Sequence, residues 1–559
     1  MSEAVSLVSS PRALCGLFFL FASAQCTQAE EAYFKFRDTH KEAGLSPDLA
    51  GMVAHSAAWG DVDGDGWADL YVGSFYKDGG IPSLLFRNNK GKFSLDGQEN
   101  LRVQGRASGG VFADLDNDGD LDYYHSNNAI RLEGPEGQPN RLFRNEGGGK
   151  FTDITESSGA FRPGMTGRSV SVFDLDGDGL LDLLASEGPF RNKSKSSCIF
   201  RNKGNLKFEE LDESIGLPTK IPALGTAVGD VNNDGWPDFF LASRHGSNRL
   251  FLNDGKGRFR EAPGAHELFD NWKFHSGDGS TCGVVFGDVN RDGLLDVLMG
   301  SHYKRPWMRP APIKLFLNRG IKDGNPSFED VSVKAGLHPL ALKAPHIEIQ
   351  DFNNDSWPDI MVSIVKFADG KPYPVIFKHL GIRDGLPRFD ENAMAVNDFP
   401  TATDRATGKT GEFYKKMERE KKITYAAPMP TADYDLDGRL DIFLASWWRG
   451  LPSMLLKNET PSGKWLRVKV IGGKGMNRMG IGTKIRIYPA GKAGELSSLI
   501  GFQEICAGYG YSSGQEAIAH FGLGDLSQCD MELELPHTRL KIQKKGIKAD
   551  QLVTIAIGE

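Results

Sequence analysis

The chain has 559 residues, a formal charge of −7, 40% hydrophobic residues and 67 glycines. That is ample apolar material for a large folded core, which excludes a disordered chain, and nothing in the charge balance points to nucleic acid as a partner. Six cysteines, two of them within or beside the N-terminal apolar segment, are too few for a disulfide scaffold, and no CxxC or Cys/His spacing suggests zinc or redox chemistry.

Residues 1–24 read as a signal peptide: Arg12, an apolar core from Ala13 to Ala22, and Ala22-Ser23-Ala24 as the cleavage site. The apolar run is too short to cross a bilayer. Cys26 would suit a lipidated anchor, but Gln25 before it is a poor context. The expectation is export to the medium, periplasm or cell surface, with no membrane span after signal removal.

The stretch DVDGDGWADLYVG, Asp61 to Gly73, then places aspartates at positions 1, 3, 5 and 9, a glycine at position 6, and an apolar run immediately after. Carboxylates this close repel unless a cation compensates them, and hard oxygen ligands at this spacing around a turn glycine suit calcium. An Asx-rich hairpin turn would explain a single copy equally well. The pattern recurs, however, and gives candidate metal ligands Asp61, Asp63, Asp65 and Asp69; Asp114, Asp116, Asp118 and Asp122; Asp174, Asp176, Asp178 and Asp182; Asp230, Asn232, Asp234 and Asp238; Asp288, Asn290, Asp292 and Asp296; Asp351, Asn353, Asp355 and Asp359; and Asp433, Asp435, Asp437 and Asp441. The loops are numbered one to seven below. Loop six is expected to be the weakest, with Ser356 where the others have glycine.

An EF-hand is excluded because its position 12 must be a bidentate Glu, and here that place holds Val72, His125, Ala185, Leu241, Met299, Val362 and Leu444. Each loop runs instead into a short apolar segment such as LYV, LLA or IFL, and is preceded by another such as SVSVF, so each is a turn between two strands. A third strand recurs as LLFRN, RLFRN, CIFRN, RLFLN, KLFLN, VIFKH and MLLKN, and a fourth opens on Phe93, Phe151, Phe208, Phe259, Phe328 and Phe389. The seventh unit lacks its fourth strand, and YFKFRDTHKEAGL, Tyr33 to Leu45, supplies it from the front. The predicted fold is all-β: a seven-bladed β-propeller over residues 31–460, closed by the N-terminal strand, which leaves no exposed edge between first and last units. The segment from Thr407 reads as a charged insertion.

Beyond it, residues 463–559 form a small β domain, with KWLRVKVIG, GTKIRIYPA, MELELP and QLVTIAIG as alternating strands. GIGTK lacks the spacing of a phosphate loop, so its glycines read as turn residues. Cys506 and Cys529 share this domain and could pair; Cys198 and Cys282, in strand-like segments of the repeats, read as buried thiols.

The acidic repeats resemble FG-GAP/VCBS repeats, similar to the blades of the integrin α-subunit propeller. NRMGIGTKIRI, GYGYSSGQ and HFGLGD resemble the ASPIC/UnbV domain, which follows such propellers in, among others, the cartilage acidic protein family. The resemblance implies calcium ions, up to seven, on one face of the disc and ligands on the other. Candidate ligand-binding residues at the opposite strand exits are Trp447, Trp448, Arg449, His302, Tyr303, Arg305, Arg244 and His245, with Phe75, Tyr76, Tyr124 and His125 beside them: aromatics stack on sugar or peptide planes, and arginine recognises carboxylate or sulfate. Seven bound calcium ions would turn the formal charge of −7 into +7, which favours a polyanionic polysaccharide or protein partner. The expected function is an extracellular binding or adhesion module with no catalysis of its own; the alternative is a calcium-dependent carbohydrate-active enzyme, such as a polysaccharide lyase or hydrolase.

Overall fold

Apolar residues alternate with turn clusters along most of the chain, and the strands they form are too short to stand alone, so they assemble as small antiparallel sheets. The computed structural model describes residues 33–558 apart from 76–79, 130–137, 189–196, 218–220, 244–247, 271–278, 304–311, 338–344, 364, 368–374, 391–418, 421–422, 426–427 and 448–451. The signal-peptide reading, most of the charged insertion, Tyr76 and five of the eight ligand-binding candidates (Trp448, Arg449, Arg305, Arg244 and His245) therefore lie outside the described residues. Among those that are described, no helix is long and apolar enough to cross a membrane.

Seven antiparallel sheets follow one another, each a meander in chain order. Their first strands are Ala54–Gly60, Ala107–Ala113, Gly167–Phe173, Gly225–Gly229, Gly279–Gly287, Ile347–Gln350 and Thr431–Ala432. In each sheet the acidic loop connects the first strand to the second, as expected. The seventh sheet has only three strands from its own stretch of chain; its fourth is Phe36–Asp38, which pairs with Met454–Asn458 in the register Phe36 to Asn458. The closing N-terminal strand is thus in place.

Apolar faces of neighbouring sheets pack together all the way round. Tyr71 and Leu85 of the first sheet meet Phe112 and Tyr123 of the second, Phe173 and Leu184 of the third meet Val228 and Phe239 of the fourth, and Ala57 and Trp59 of the first meet Ala432 and Phe443 of the seventh. A buried Trp59 Nε1 also donates to the Pro430 carbonyl at 3.1 Å. The arrangement is propeller-like, with no free edge between first and last sheets.

Residues Lys464–Ile471, Ile518–Gly524 and Gln551–Ala556 form a three-stranded sheet, and Lys484–Pro489, Gly501–Glu504, Gln528–Glu534 and Lys541–Lys548 a four-stranded one. Their core is continuous with the ring: Leu466, Val468, Ile485 and Met531 share one apolar cluster with Val111, Val170 and Leu183. Cys506 and Cys529 are free thiols rather than a pair, Cys529 being buried within that cluster, and Cys198 and Cys282 are buried thiols as read.

Candidate metal loops and the filled axis of the ring

Each acidic loop is shaped by its own carboxylates. The position-1 aspartate accepts the backbone N–H of position 6 through Oδ2, from Gly66 to Asp61 at 3.0 Å through to Gly438 to Asp433 at 3.1 Å. Position 6 has positive φ in all seven, which glycine adopts freely. Ser356 adopts it too, at φ 76°, so loop six keeps the shape with a residue that is strained there.

Position 9, read from the sequence as a ligand, has a structural task in every loop. One oxygen accepts the N–H of position 2 and the other accepts the N–H of the residue that closes the LFRN-type motif of the third strand; for Asp122 these are Leu115 N at 3.2 Å and Asn145 N at 2.9 Å. That third-strand residue carries the ring closure. Its side-chain N–H donates to the position-2 carbonyl of the preceding sheet: Asn88 to Tyr434, Asn145 to Val62, Asn202 to Leu115, Asn253 to Leu175, Asn318 to Val231, His379 to Val289 and Asn458 to Phe352, all at 2.7–2.9 Å. Seven equivalent bonds thus stitch seven loops into a closed circle. His379 replaces asparagine because a neutral imidazole also offers one donor and one acceptor, its Nδ1 taking the Gly381 N–H at 2.8 Å; burial holds its pKa down to about 4.

The remaining oxygens bear on metal binding. In the four all-aspartate loops, carboxylate oxygens of Asp61, Asp63 and Asp69, of Asp114, Asp116 and Asp118, of Asp174, Asp176 and Asp178, and of Asp433, Asp435 and Asp441 approach within 4.8 Å of one another. Asp61 Oδ1, Asp114 Oδ1, Asp116 Oδ1, Asp176 Oδ1 and Asp435 Oδ1 are buried and accept no hydrogen bond. A buried, unpartnered carboxylate oxygen is costly, and a divalent cation in the loop would satisfy these, so the residues present fit the ion. Burial, with repulsion from neighbouring carboxylates, pushes Asp69 and Asp114 up to about 7 and Asp122 to about 8. In the three asparagine loops the amide turns its nitrogen inward, Asn232 to Asp234, Asn290 to Asp292 and Asn353 to Asp355, at 2.8–3.0 Å.

The C-terminal sheets cover this face. Arg467 Nη1 lies 3.2 Å from Asp433 Oδ2, His537 Nε2 3.3 Å from Asp174 Oδ2, and His520 Nε2 2.8 Å from Asn354 Oδ1. Between loops one and two they leave a cleft of about 260 Å³ whose lining includes Trp59, Asp61, Asp114, Lys469, Arg478 and Glu516.

Sequence reasoning missed the segment Cys506 to Gln515, which runs along the axis of the ring. Gly510 N donates to Val284 O at 3.0 Å, Ser512 N to Ser169 Oγ at 3.0 Å and Ala57 N to Ser512 O at 3.3 Å, while Ser513–Gly514 pairs in parallel with Ala57 and Ala58. First strands of three different sheets take part, and Tyr511 N reaches His346 Nδ1, just before the first strand of a fourth, at 3.1 Å. The glycines of GYGYSSGQ are needed for close approach: a Cβ on Gly508 would stand 2.1 Å from the Val170 carbonyl oxygen. Ser513 Oγ lies 3.2 Å from His346 Nδ1, and His346 Nε2 3.1 Å from Glu348 Oε1, distances that mimic a hydrolytic triad. Yet Nδ1 already accepts from Tyr511, Ser513 Oγ donates to the Tyr509 carbonyl at 2.9 Å, and all three residues are buried. The set anchors the segment.

The opposite strand exits differ from expectation. Tyr124 and His125 are fully buried, Tyr124 Oη accepting from Asn140 and His125 bonding Asn127, because the strand runs on inside the sheet to Asn127. Phe75 is buried as well. Trp447 is half-buried, its ring 5.7 Å from those of His55 and Phe75. His302 and Tyr303 close the strand Asp296–Tyr303, with His302 partly exposed.

Residues 61–125, 131–185 and 230–299 match the model of the FG-GAP-like repeat, and residues 473–559 that of ASPIC and UnbV. The chain therefore joins FG-GAP-like repeats to an ASPIC and UnbV domain, the combination its motifs resemble. Among characterised relatives it is similar to cartilage acidic protein 1 of Xenopus tropicalis, 24% identical over 88% of this chain and 71% of that one, and of Homo sapiens, 23% identical over 88% and 70%. Similar solved structures are BBS1N in complex with ARL6DN, 10% identical over 77% of this chain and 97% of that one with a TM-score of 0.40, and the V. cholerae biofilm matrix protein Bap1, 11% identical over 93% and 72% with a TM-score of 0.31.

Proposed function

We propose that the protein is an exported, calcium-stabilised binding module for a polyanionic partner, a polysaccharide or an acidic protein, and not an enzyme. The observation that carries the calcium reading is the set of buried carboxylate oxygens with no hydrogen-bond partner in loops one, two, three and seven. Bound ions would make that face positive, and the relatives' name, cartilage acidic protein, supports an extracellular setting. The cleft between loops one and two is the best-formed place for an anionic group, since Lys469 and Arg478 line it beside two candidate ion sites. The enzyme alternative loses its strongest ground because the axis of the ring, a natural substrate channel, is filled by Cys506 to Gln515.

Retention of the full chain on sulfated and uronate polysaccharide columns in millimolar calcium tests the reading. Retention is expected with calcium, to be lost on chelation and weakened at least tenfold by Lys469→Glu with Arg478→Glu. New unsaturated or reducing ends would favour the enzyme, and equal retention with and without calcium would contradict the binder.

The same loops set a pH dependence with an unusual sign. In the metal-free chain Asp69, Asp114 and Asp122 titrate near 7 to 8, well above an unfolded aspartate at about 3.9. The folded state then binds more protons, so stability is fully present at low pH and is lost as pH rises through 7 to 8. Melting of calcium-free protein from pH 5 to 8 is expected to show a falling Tm, and calcium to reverse the slope by displacing those protons.

A further inference from the structure

Loop four takes a buried lysine from the C-terminal sheets on its position-1 aspartate; loop seven also takes a cation there, Arg467 on Asp433 at 3.2 Å, but it has four carboxylates and keeps Asp435 Oδ1 without a donor. Lys484, on the strand Lys484–Pro489, is 3% exposed and puts its ammonium 2.7 Å from Asp230 Oδ2 and in contact with Asn233 Oδ1. Its cross-strand neighbours are Glu504 and Glu534, and Glu504 accepts the Asp230 N–H at 3.1 Å.

Every side-chain oxygen of this loop has a donor. Asp230 Oδ1 accepts from Asp234 N and Oδ2 from Gly235 N and Lys484; Asn232 Oδ1 accepts from Asp234 N; Asp234 accepts from Trp236 N and Asn232 Nδ2; Asp238 accepts from Val231 N and Asn253 N. Loops one, two, three, five and seven each leave a buried oxygen without a donor, at Asp61, Asp114 and Asp116, Asp176, Asn290 and Asp435.

Loop six is fully bonded as well, its Asp355 Oδ2 taking Lys378 of its own third strand, so loop four stands apart in drawing its cation from the C-terminal sheets alone. Where other sheets carry Arg87, Arg144, Arg201, Lys378 or Lys457 beside their own loop, the fourth has Leu252 and the fifth Leu317. The fifth, with neither its own cation nor one from the C-terminal sheets on Asp288, keeps its open oxygen at Asn290. The fourth receives Lys484.

We propose that the Lys484 ammonium is a built-in cation occupying the place of a metal ion in loop four. This rests on the calcium reading and narrows it: loop four takes no ion in the native chain, and the C-terminal sheets are held to the ring there by a contact that calcium supply does not affect. The loop has three carboxylates where the all-aspartate loops have four, so one fixed positive charge at position 1 offsets more of it, and an ammonium seated on Asp230 repels an entering divalent ion.

Long-wavelength anomalous diffraction from crystals of the full chain in millimolar calcium tests this. Calcium peaks are expected in the loops that begin at Asp61, Asp114, Asp174 and Asp433 and none in the loop that begins at Asp230. Lys484→Met is expected to gain a peak at Asp230 and to raise the bound calcium by one ion per chain, while Lys484→Arg keeps the native count. A calcium peak at Asp230 in the native protein overturns the proposal, whether or not the Met variant folds. An unchanged count in a folded Lys484→Met also overturns it. A map without calcium in any loop would remove the calcium reading itself, an outcome distinct from either.

Discussion

Chelating calcium from the full chain should lower its melting temperature by about 5 °C. Oxygen cages of this kind in extracellular modules hold calcium with Kd of roughly 10⁻⁴ to 10⁻³ M. A ligand held only by the folded state and supplied at about ten times Kd stabilises it by about 1.4 kcal/mol per site. The four all-aspartate loops would then contribute about 6 kcal/mol, a large share of the 5–15 kcal/mol by which folded proteins are usually stable. Asp63→Asn with Asp65→Asn disables loop one and should remove about a quarter of the shift. Calorimetry in calcium and in chelator measures both. If the melting temperature is the same in the two buffers, the loops do not depend on metal.

The second large effect concerns position 9. Asp238→Ala removes the acceptor for Val231 N and Asn253 N, bonded at 3.1 and 2.8 Å to a fully buried carboxylate. Each stranded buried N–H costs about 1–3 kcal/mol, so the variant should lose about 2–6 kcal/mol. Because Asp238 lies in loop four, the loss should be the same with and without calcium, which a denaturant titration in both conditions would read. A penalty present only in calcium would make Asp238 a ligand first and a structural acceptor second.

Much of this architecture was legible in the residues because the repeat itself is chemical. Alternating carboxylates before an apolar run give the loop, the loop gives the hairpin, and the missing fourth strand of the last unit is visibly supplied by Tyr33 to Leu45. The asparagine that ends LFRN was legible as a repeating letter but not as a bond, since its partner lies on the preceding sheet, dozens of residues away. Its recurrence in six of seven copies, with the exception filled by another side chain that both donates and accepts, was the available signal. Position 9 looked like any other aspartate, because only the fold brings two backbone N–H groups onto it.

The strands of the C-terminal region are legible one by one in their alternating residues, yet their relation to the ring is not. Nothing local marks GYGYSSGQ as the filling of an axis. Its glycines look like turn residues, whereas Gly508 is small because the Val170 carbonyl stands against it. Lys484 likewise looks like the polar half of an alternating strand. Tyr124 and His125 were misplaced at a strand exit because the strand continues to Asn127, and no turn residue falls early enough to show where it leaves the sheet.

All of this depends on repeated acidic turns being completed by divalent ions. Equilibrium dialysis of native full-length protein against millimolar calcium, with calcium counted on both sides of the membrane and no desalting step, tests it most directly. Four or more calcium ions per chain, but fewer than seven, are expected. Protein that retains its fold and carries no calcium would contradict the account.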